Sequence, residues 1–344
     1  MSPSRQLIQE FALTDQQNIT PEERIEDFGQ AALGVPAPSG GLHELAPEGG
    51  EVQSIQSGWR LSAREFASNR LAVVALLVLI AIVLFCFLGP VFYHSNQTTS
   101  NPLNASLAPG QSSPLGGGGS HLLGTDESGL DEFGRLMVGG QSALEIGLFA
   151  AFVSIVIGTL YGAISGLVGG FLDGILMRFV DVLLSIPYLL IVLVLSTKYS
   201  GTVVSISLVL GIFSWLVPAR LVRGEVLTLR ERDFVVAAQT MGASRTRLIF
   251  KHLIPNAMSV TIVNVTFLFA DAIIFIALLG FLGFGLQFPN TSWGDMLGNA
   301  QQYVQNGEWW LVYPVGGLLV TVVLCANLIG DALRDAVDVR LQRR

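Results

Sequence analysis

Leu229–Asn256 reads LRERDFVVAAQTMGASRTRLIFKHLIPN, a polar and basic stretch between two apolar runs of membrane-spanning length. Phe234, Ala237, Ala238 and Met241 recur at i, i+3, i+4 and i+7, which predicts a short helix with a narrow stripe of mostly small apolar residues. Gly242 supplies a helix stop, and Ala243 leads to Ser244, which can cap a second helix. Pro255 is expected to end that second helix. Two short helices joined at a glycine make a projecting knob, and a knob on a membrane protein implies a socket on a soluble partner.

The membrane assignment rests on composition. Of 344 residues, 51% are hydrophobic and only 13% charged, with a mean hydropathy of +0.58. That balance belongs to polytopic membrane proteins rather than soluble domains. The net charge of -7 conceals a segregation of signs, because residues 1–70 hold ten acids against five arginines. Residues 1–56, rich in Glu, Gln, Pro and Gly without a sustained period, read as an acidic, largely disordered tail. No long apolar stretch precedes residue 71, so no cleavable signal peptide is expected. Trp59, Leu61 and Phe66 interleave with Arg60, Arg64 and Arg70, which suggests a helix lying on the membrane surface ahead of the first span. Cys86 and Cys325 fall inside apolar runs and read as core residues, not as a disulfide.

Six runs reach or approach span length: 71–88, 143–168, 179–195, 203–218, 259–283 and 311–327. The fold class expected is therefore all-α and polytopic, with six transmembrane helices. If the amino terminus lies inside, the segments 1–70, 169–178, 219–258 and 328–344 are cytoplasmic and carry 17 of the 19 Lys and Arg residues, leaving Arg135 and Lys198 outside. The bias of positive charge towards the cytoplasm selects that orientation, with both termini inside, and places the knob in the cytoplasm. The domain plan is then a tail at 1–56, an interfacial helix plus first span at 57–92, an outside loop at 93–141, a transmembrane domain at 142–332 and a cytoplasmic end at 333–344. Within the loop, the low-complexity stretch from Ser95 to Ser120 reads as flexible.

Gly158, Gly162, Gly166 and Gly170, spaced by four, line one helix face and let a neighbouring backbone approach. Asp181 lies three residues after Arg178, a spacing that allows a pair on one helix face. Asp271 falls near the middle of the fifth run with no helical partner in reach, and a mid-membrane carboxylate is costly unless it faces a polar cavity or another subunit. A place on the translocation path and a structural hydrogen bond both account for it. Catalytic signatures are missing: no phosphate-binding G-x-x-x-x-G-K-[ST], no metal spacing among His43, His94, His121 and His252, and no nucleophile elbow. No enzyme activity, cofactor or metal is expected, and no nucleic-acid partner.

The knob resembles the EAA loop of inner-membrane permeases of ATP-binding-cassette importers, E-A-A-x3-G-x9-I-x-L-P. Ala237, Ala238, Gly242 and Pro255 stand at matching positions, whereas Val236 replaces the glutamate, His252 the isoleucine and Ile254 the leucine. Other stretches resemble the "C" permeases of the dipeptide, oligopeptide and nickel branch. HLLGTDESGLD at 121–131 is similar to H-x-L-G-T-D-x-x-G-R-D, with Leu130 in place of arginine. Met177, Arg178 and Asp181 fit M-R-x-x-D. Phe281 to Gly285 with Pro289 and Ser292 to Gly294 fit F-L-G-x-G…P…S-W-G, and Asn327 to Asp335 fits N-x-x-G-D-x-L-R-D. Asp271 stands where that family usually has a small residue, and Ile276 where it often has a glutamate.

The resemblance implies a type I importer permease fold in the plasma (inner) membrane of a prokaryote. It implies a heterodimer with a homologous second permease subunit, two cytoplasmic ATPase subunits that hydrolyse ATP, and an extracytoplasmic substrate-binding protein. Phe234, Ala237, Ala238, Met241 and Gly242, with Ala243, Ser244 and Pro255 completing the loop, would couple to an ATPase, with Arg230, Arg232, Arg245 and Arg247 at the rim. Peptides are the expected cargo; nickel complexes and oligosaccharides use the same branch, and a secondary active transporter is the competing class.

Overall fold

The computed structural model describes residues 58–342 apart from 96, 114–120 and 200. The tail expected at 1–56 lies outside the described residues. From Gly58 onward the described chain is mostly helical, with turns and an isolated β-bridge between Thr125 and Asp131.

Helix α1 (Gly58–Ser68) is followed at once by α2 (Arg70–Phe92), because Asn69 takes an extended conformation and its side chain accepts a hydrogen bond from Ala72 N at 3.2 Å. Helix α3 (Glu132–Val168) is capped in the same way by Asp131, which accepts from Gly134 N at 2.8 Å. Its 37 residues extend about 55 Å at 1.5 Å per residue, well beyond a hydrocarbon core of about 30 Å. The segment expected to remain loop to residue 141 therefore yields its last ten residues to this helix.

The third expected span is broken. Helices α4 (Gly170–Ser185) and α5 (Tyr188–Lys198) meet at 78°. Pro187 drives the residue before it out of helical geometry, and Ile186 sits at φ -87°, ψ 128°. Helices α6 (Val203–Ser214) and α7 (Leu216–Leu229) bend by 43° around Trp215. There Pro218 removes the N–H that would bond Ser214 O, while Ala219 N still reaches Trp215 O at 2.9 Å. After α8 (Asp233–Thr240), helix α9 (Arg245–Phe281) begins with one turn at Arg245–Arg247, loosens into a π-helical turn at Leu248–Leu253, and continues as Ile254–Phe281. Pro255 thus does not end the second helix of the knob. It falls in the first turn after the π segment, where a missing N–H is tolerated. Helices α10 (Trp293–Ala300) and α11 (Tyr313–Gln342) complete the chain.

Among the described residues four helices are long and apolar enough to cross a membrane, and counting each bent pair as one span gives six. Helix α3 is the axis of the bundle, with α2, α6, α7 and α9 against it, and α11 packs across α1, α2 and α9. The glycine face works as a packing device. A Cβ on Gly158 would stand 2.6 Å from Pro218 Cβ, and one on Gly166 would stand 2.8 Å from Val226 Cγ1. Only bare backbone allows α7 to lie this close. Gly170 leaves the series: it follows the break at Gly169, has φ +62° and meets nothing.

Residues 97–113 are not the loose linker their composition suggested. Asn101 N bonds Ser128 O at 2.9 Å, Ser106 N bonds Asp126 O at 3.0 Å, and Leu107 N bonds Thr125 Oγ1 at 2.8 Å. Satisfying backbone groups on the 121–131 motif overrides a polar, low-complexity sequence.

Candidate functional site

The knob is built as a rigid turn. Gly242 adopts φ +80°, open to glycine and strained for other residues. Gly242 N bonds Gln239 O at 2.9 Å and Ala243 N bonds Ala238 O at 3.0 Å, the paired closure of a Schellman motif. Ser244 then caps the next helix by accepting from Arg247 N at 3.3 Å.

The sequence placed Phe234, Ala237, Ala238 and Met241 on one stripe, and the structure divides them. Val235 and Ala238 turn inward and pack with Leu248 and Leu253 against Ala163, Val222 and Val226 of α3 and α7. Phe234, Val236, Ala237 and Met241 remain exposed, Met241 at 82%. Ala238 therefore belongs to the root of the knob and not to its outer surface. The buried pair is offset by one residue because α8 packs on α3, α7 and the π-helical turn of α9. Of the rim arginines, Arg232, Arg245 and Arg247 are exposed, whereas Arg230 turns back and its Nη1 donates to Gly166 O at 3.2 Å.

Two ion pairs tie α4 to α7 just above that root. Asp173 accepts from Arg223 Nε and Nη2, both at 2.6 Å, and from Ser165 Oγ of α3 at 2.5 Å. Asp181 pairs with Arg220 of α7. The expected Arg178–Asp181 pair is thus replaced: α7 runs alongside α4 and presents a nearer guanidinium. The sequence signal for the correct partner was present, since Arg220 and Arg223 share one face of α7 at the i, i+3 spacing.

Asp271 lies on the wall of a groove of about 420 Å³ between α4, α5, α6, α7 and α9. Asn264, Phe267, Leu268, Asp271 and Phe275 form its α9 wall, one face of the helix at i, i+3, i+4, i+7 and i+11. Tyr188 faces them, its ring edge-on to Phe275 at 4.4 Å between centroids. The Tyr188 hydroxyl lies 3.1 Å from Leu210 O and 2.8 Å from Ser214 Oγ. Asp271 makes no hydrogen bond and no ion pair with the described residues and is exposed in the single chain. The structural hydrogen bond that could have explained it is not made among the described residues.

Sequence reasoning placed Arg135 outside and set Asp126 and Asp131 in the 121–131 motif, but gave none of them a structural partner. Asp126 accepts from Ser128 N at 2.9 Å and Leu130 N at 2.8 Å, and its Oδ2 forms an ion pair with Arg135 Nε at 3.2 Å. Arg135 Nη2 continues to Thr291 Oγ1 at 3.1 Å. Asp131 accepts from Tyr93 Oη at 2.9 Å and lies 2.7 Å from His121 Nδ1. Trp293 Nε1 donates to Leu136 O at 3.0 Å. Burial pushes the carboxyls of Asp126 and Glu127 above the ordinary carboxylate range, with Arg135 pulling both back in part. These contacts bind the described residues of 93–113 and 121–131, α10 and the start of α3 into one head. Among the described residues no group of His, Cys, Asp and Glu is arranged to hold a metal ion.

A helical bundle of four long and two bent spans, a projecting helix-turn-helix at one end and a polar head at the other define a polytopic membrane protein of the transport type. Residues 142–343 match the family described as binding-protein-dependent transport system inner membrane component, and residues 57–109 match the N-terminal TM domain of oligopeptide transport permease C. The oligopeptide transport system permease protein OppC of Bacillus subtilis is 36% identical over 89% of this chain and 99% of its own length. That of Escherichia coli K12 is 38% identical over 82% of this chain and 91% of its own. The dipeptide transport system permease protein DppC of Alkalihalophilus pseudofirmus is 33% identical over 83% and 91%. Among solved structures, a chain of the inward-facing MetNI methionine ABC transporter aligns with a TM-score of 0.47 and 21% identity, covering 59% of this chain and 96% of that one. The chain belongs to the family of inner-membrane components of binding-protein-dependent transport systems, as its motifs implied.

Proposed function

We propose that this chain is the permease subunit of an ATP-driven peptide importer, forming half of the translocation path with a homologous second permease. The observation that carries this reading is the knob: an exposed apolar tip at Phe234, Ala237 and Met241 on a turn fixed by Gly242 and rooted in the core of α3 and α7. Such a tip suits a groove on a separate ATPase subunit. Its root converts movement of that ATPase into movement of the bundle, as rigid-body rocking between inward- and outward-open states. The distribution of 17 of 19 positive residues supports a cytoplasmic knob and cytoplasmic termini. The head around Asp126, Asp131 and Arg135 then faces a substrate-binding protein on the outer side. Peptides as cargo are supported by the oligopeptide and dipeptide transport systems to which the relatives belong, and the groove at Asp271 is assigned to the path.

The test is reconstitution with the second permease, ATPases and binding protein drawn from neighbouring genes. Uptake of a labelled peptide that requires ATP and the binding protein supports the reading. Uptake driven by an ion gradient without ATP overturns it in favour of a secondary transporter.

A further inference from the structure

Resting on the path assignment just made, we propose that Asp271 is the receptor for the α-ammonium group of the peptide in transit. Among the described residues sixteen side chains line the groove, and Asp271 is the only charged one of these. A fixed anion with no fixed cation beside it is complementary to one end of a peptide only, the end that is positive. That end is shared by every unblocked peptide whatever its sequence, so a single carboxylate serves a broad range of cargo.

The surroundings favour an ammonium over other cations. Phe275 lies one turn from Asp271 on α9, and Tyr188 packs edge-on against it. Aromatic faces beside a carboxylate are the usual chemistry for holding an amine in an apolar site. The carboxylate is about 26 Å along α9 from Ile254, at 1.5 Å per residue. It therefore lies well along the spanning length of α9, on a groove wall that is open in the single chain and that a second permease would cover, where an opposite charge would be held more strongly than in water. Asn264 and Phe267 also line an adjoining cavity of about 240 Å³. The chain's own Arg334 lines that second cavity and not the first, so it does not neutralise Asp271.

The experiment compares the complete transporter, wild type and Asp271→Asn, for ATP-dependent uptake of labelled trialanine and of its des-amino analogue. Any preference of the binding protein is common to both transporters and cancels in the comparison. Asp271→Asn is expected to lower trialanine uptake at least about tenfold, the loss of one hydrogen bond to a charged group, and to leave uptake of the analogue unchanged. Asp271→Glu, which keeps the charge, is expected to retain most trialanine uptake; a Glu variant as impaired as the Asn variant overturns the proposal. Equal loss for both cargoes overturns amine recognition while leaving Asp271 on the path. No change for either removes it from the path as well. Loss of the second permease from the purified Asp271→Asn complex would reassign the carboxylate to an intersubunit ion pair. A wild-type complex with no ATP-dependent peptide uptake would overturn the functional reading itself and this inference with it.

Discussion

Arg223 grips Asp173 through two parallel hydrogen bonds, Nε to Oδ1 and Nη2 to Oδ2, each 2.6 Å long. The pair joins α7 to α4 across 50 residues of sequence, and Ser165 adds α3 to the same carboxylate. Because α7 leads within a few residues to the knob, this clamp makes α4, α7 and the knob's root one mechanical body.

Breaking the clamp should separate stability from transport. Asp173→Asn keeps the shape and removes the charge, with an expected cost of about 1–3 kcal/mol for charge-assisted hydrogen bonds. Thermal unfolding of the purified complex would register the loss, and ATP hydrolysis should persist while peptide uptake falls. The exchanged pair Asp173→Arg with Arg223→Asp should recover part of both. Full uptake in Asp173→Asn would show that α4 and α7 need not move together.

Two helical glycines, one on the packed face of α3 and one on α4, give predictions of opposite sign. A Cβ on Gly162 would stand 2.9 Å from Arg223 N and 3.0 Å from Val222 Cβ, so Gly162→Val should push α7 away and cost about 1–3 kcal/mol or more. Gly174 on α4 has open space at its Cβ position, and Gly174→Ala should stabilise by about 0.5–1 kcal/mol through helix propensity. Melting temperatures of the two variants in the same detergent decide the matter.

The sequence made the spans, the knob and its glycine turn legible because each rests on local rules: apolar run length, a 3.6 period and the left-handed preference of glycine. It misplaced what depends on neighbours. Arg178 was the nearest cation to Asp181 in sequence, but α7 brought Arg220 to it in space. Ala238 lay on the same helical stripe as Met241, yet α3 and α7 claimed it for the core. Pro187 was visible as a proline, but its effect depended on α5 leaving at 78°, which local rules do not specify. The buried head around Arg135 and Asp126 was missed because Thr291 and Trp293 reach it from a part of the chain far away in sequence.

That head should respond to pH. Asp126 and Glu127 have carboxyls raised by burial. With a folded value above the unfolded one, the folded chain binds more protons in the interval between them. Stability contributed there rises as pH falls through the interval and declines as pH rises. Glu127→Gln removes one such group, so its stability should change less between pH 8 and pH 5 than that of the wild type. Melting curves at the two pH values provide the test, and an identical slope would mean that Glu127 keeps its ordinary affinity for protons in the folded chain.

The division of the knob into tip and root predicts two distinct phenotypes. Met241→Ala and Phe234→Ala trim exposed side chains, so the permease should stay within about 0.5 kcal/mol of wild-type stability while co-purification of the ATPase subunits weakens. Val235→Ala empties part of the core beneath α8, and its first effect should be destabilisation of about 1–3 kcal/mol. Gly242→Trp combines a bulky tip with a residue forced to φ +80°, and should abolish ATP-driven uptake while the chain still inserts in the membrane. Measuring insertion, ATPase co-purification and uptake on the same set of variants separates docking from folding. Normal uptake by Gly242→Trp would remove the knob from the coupling role.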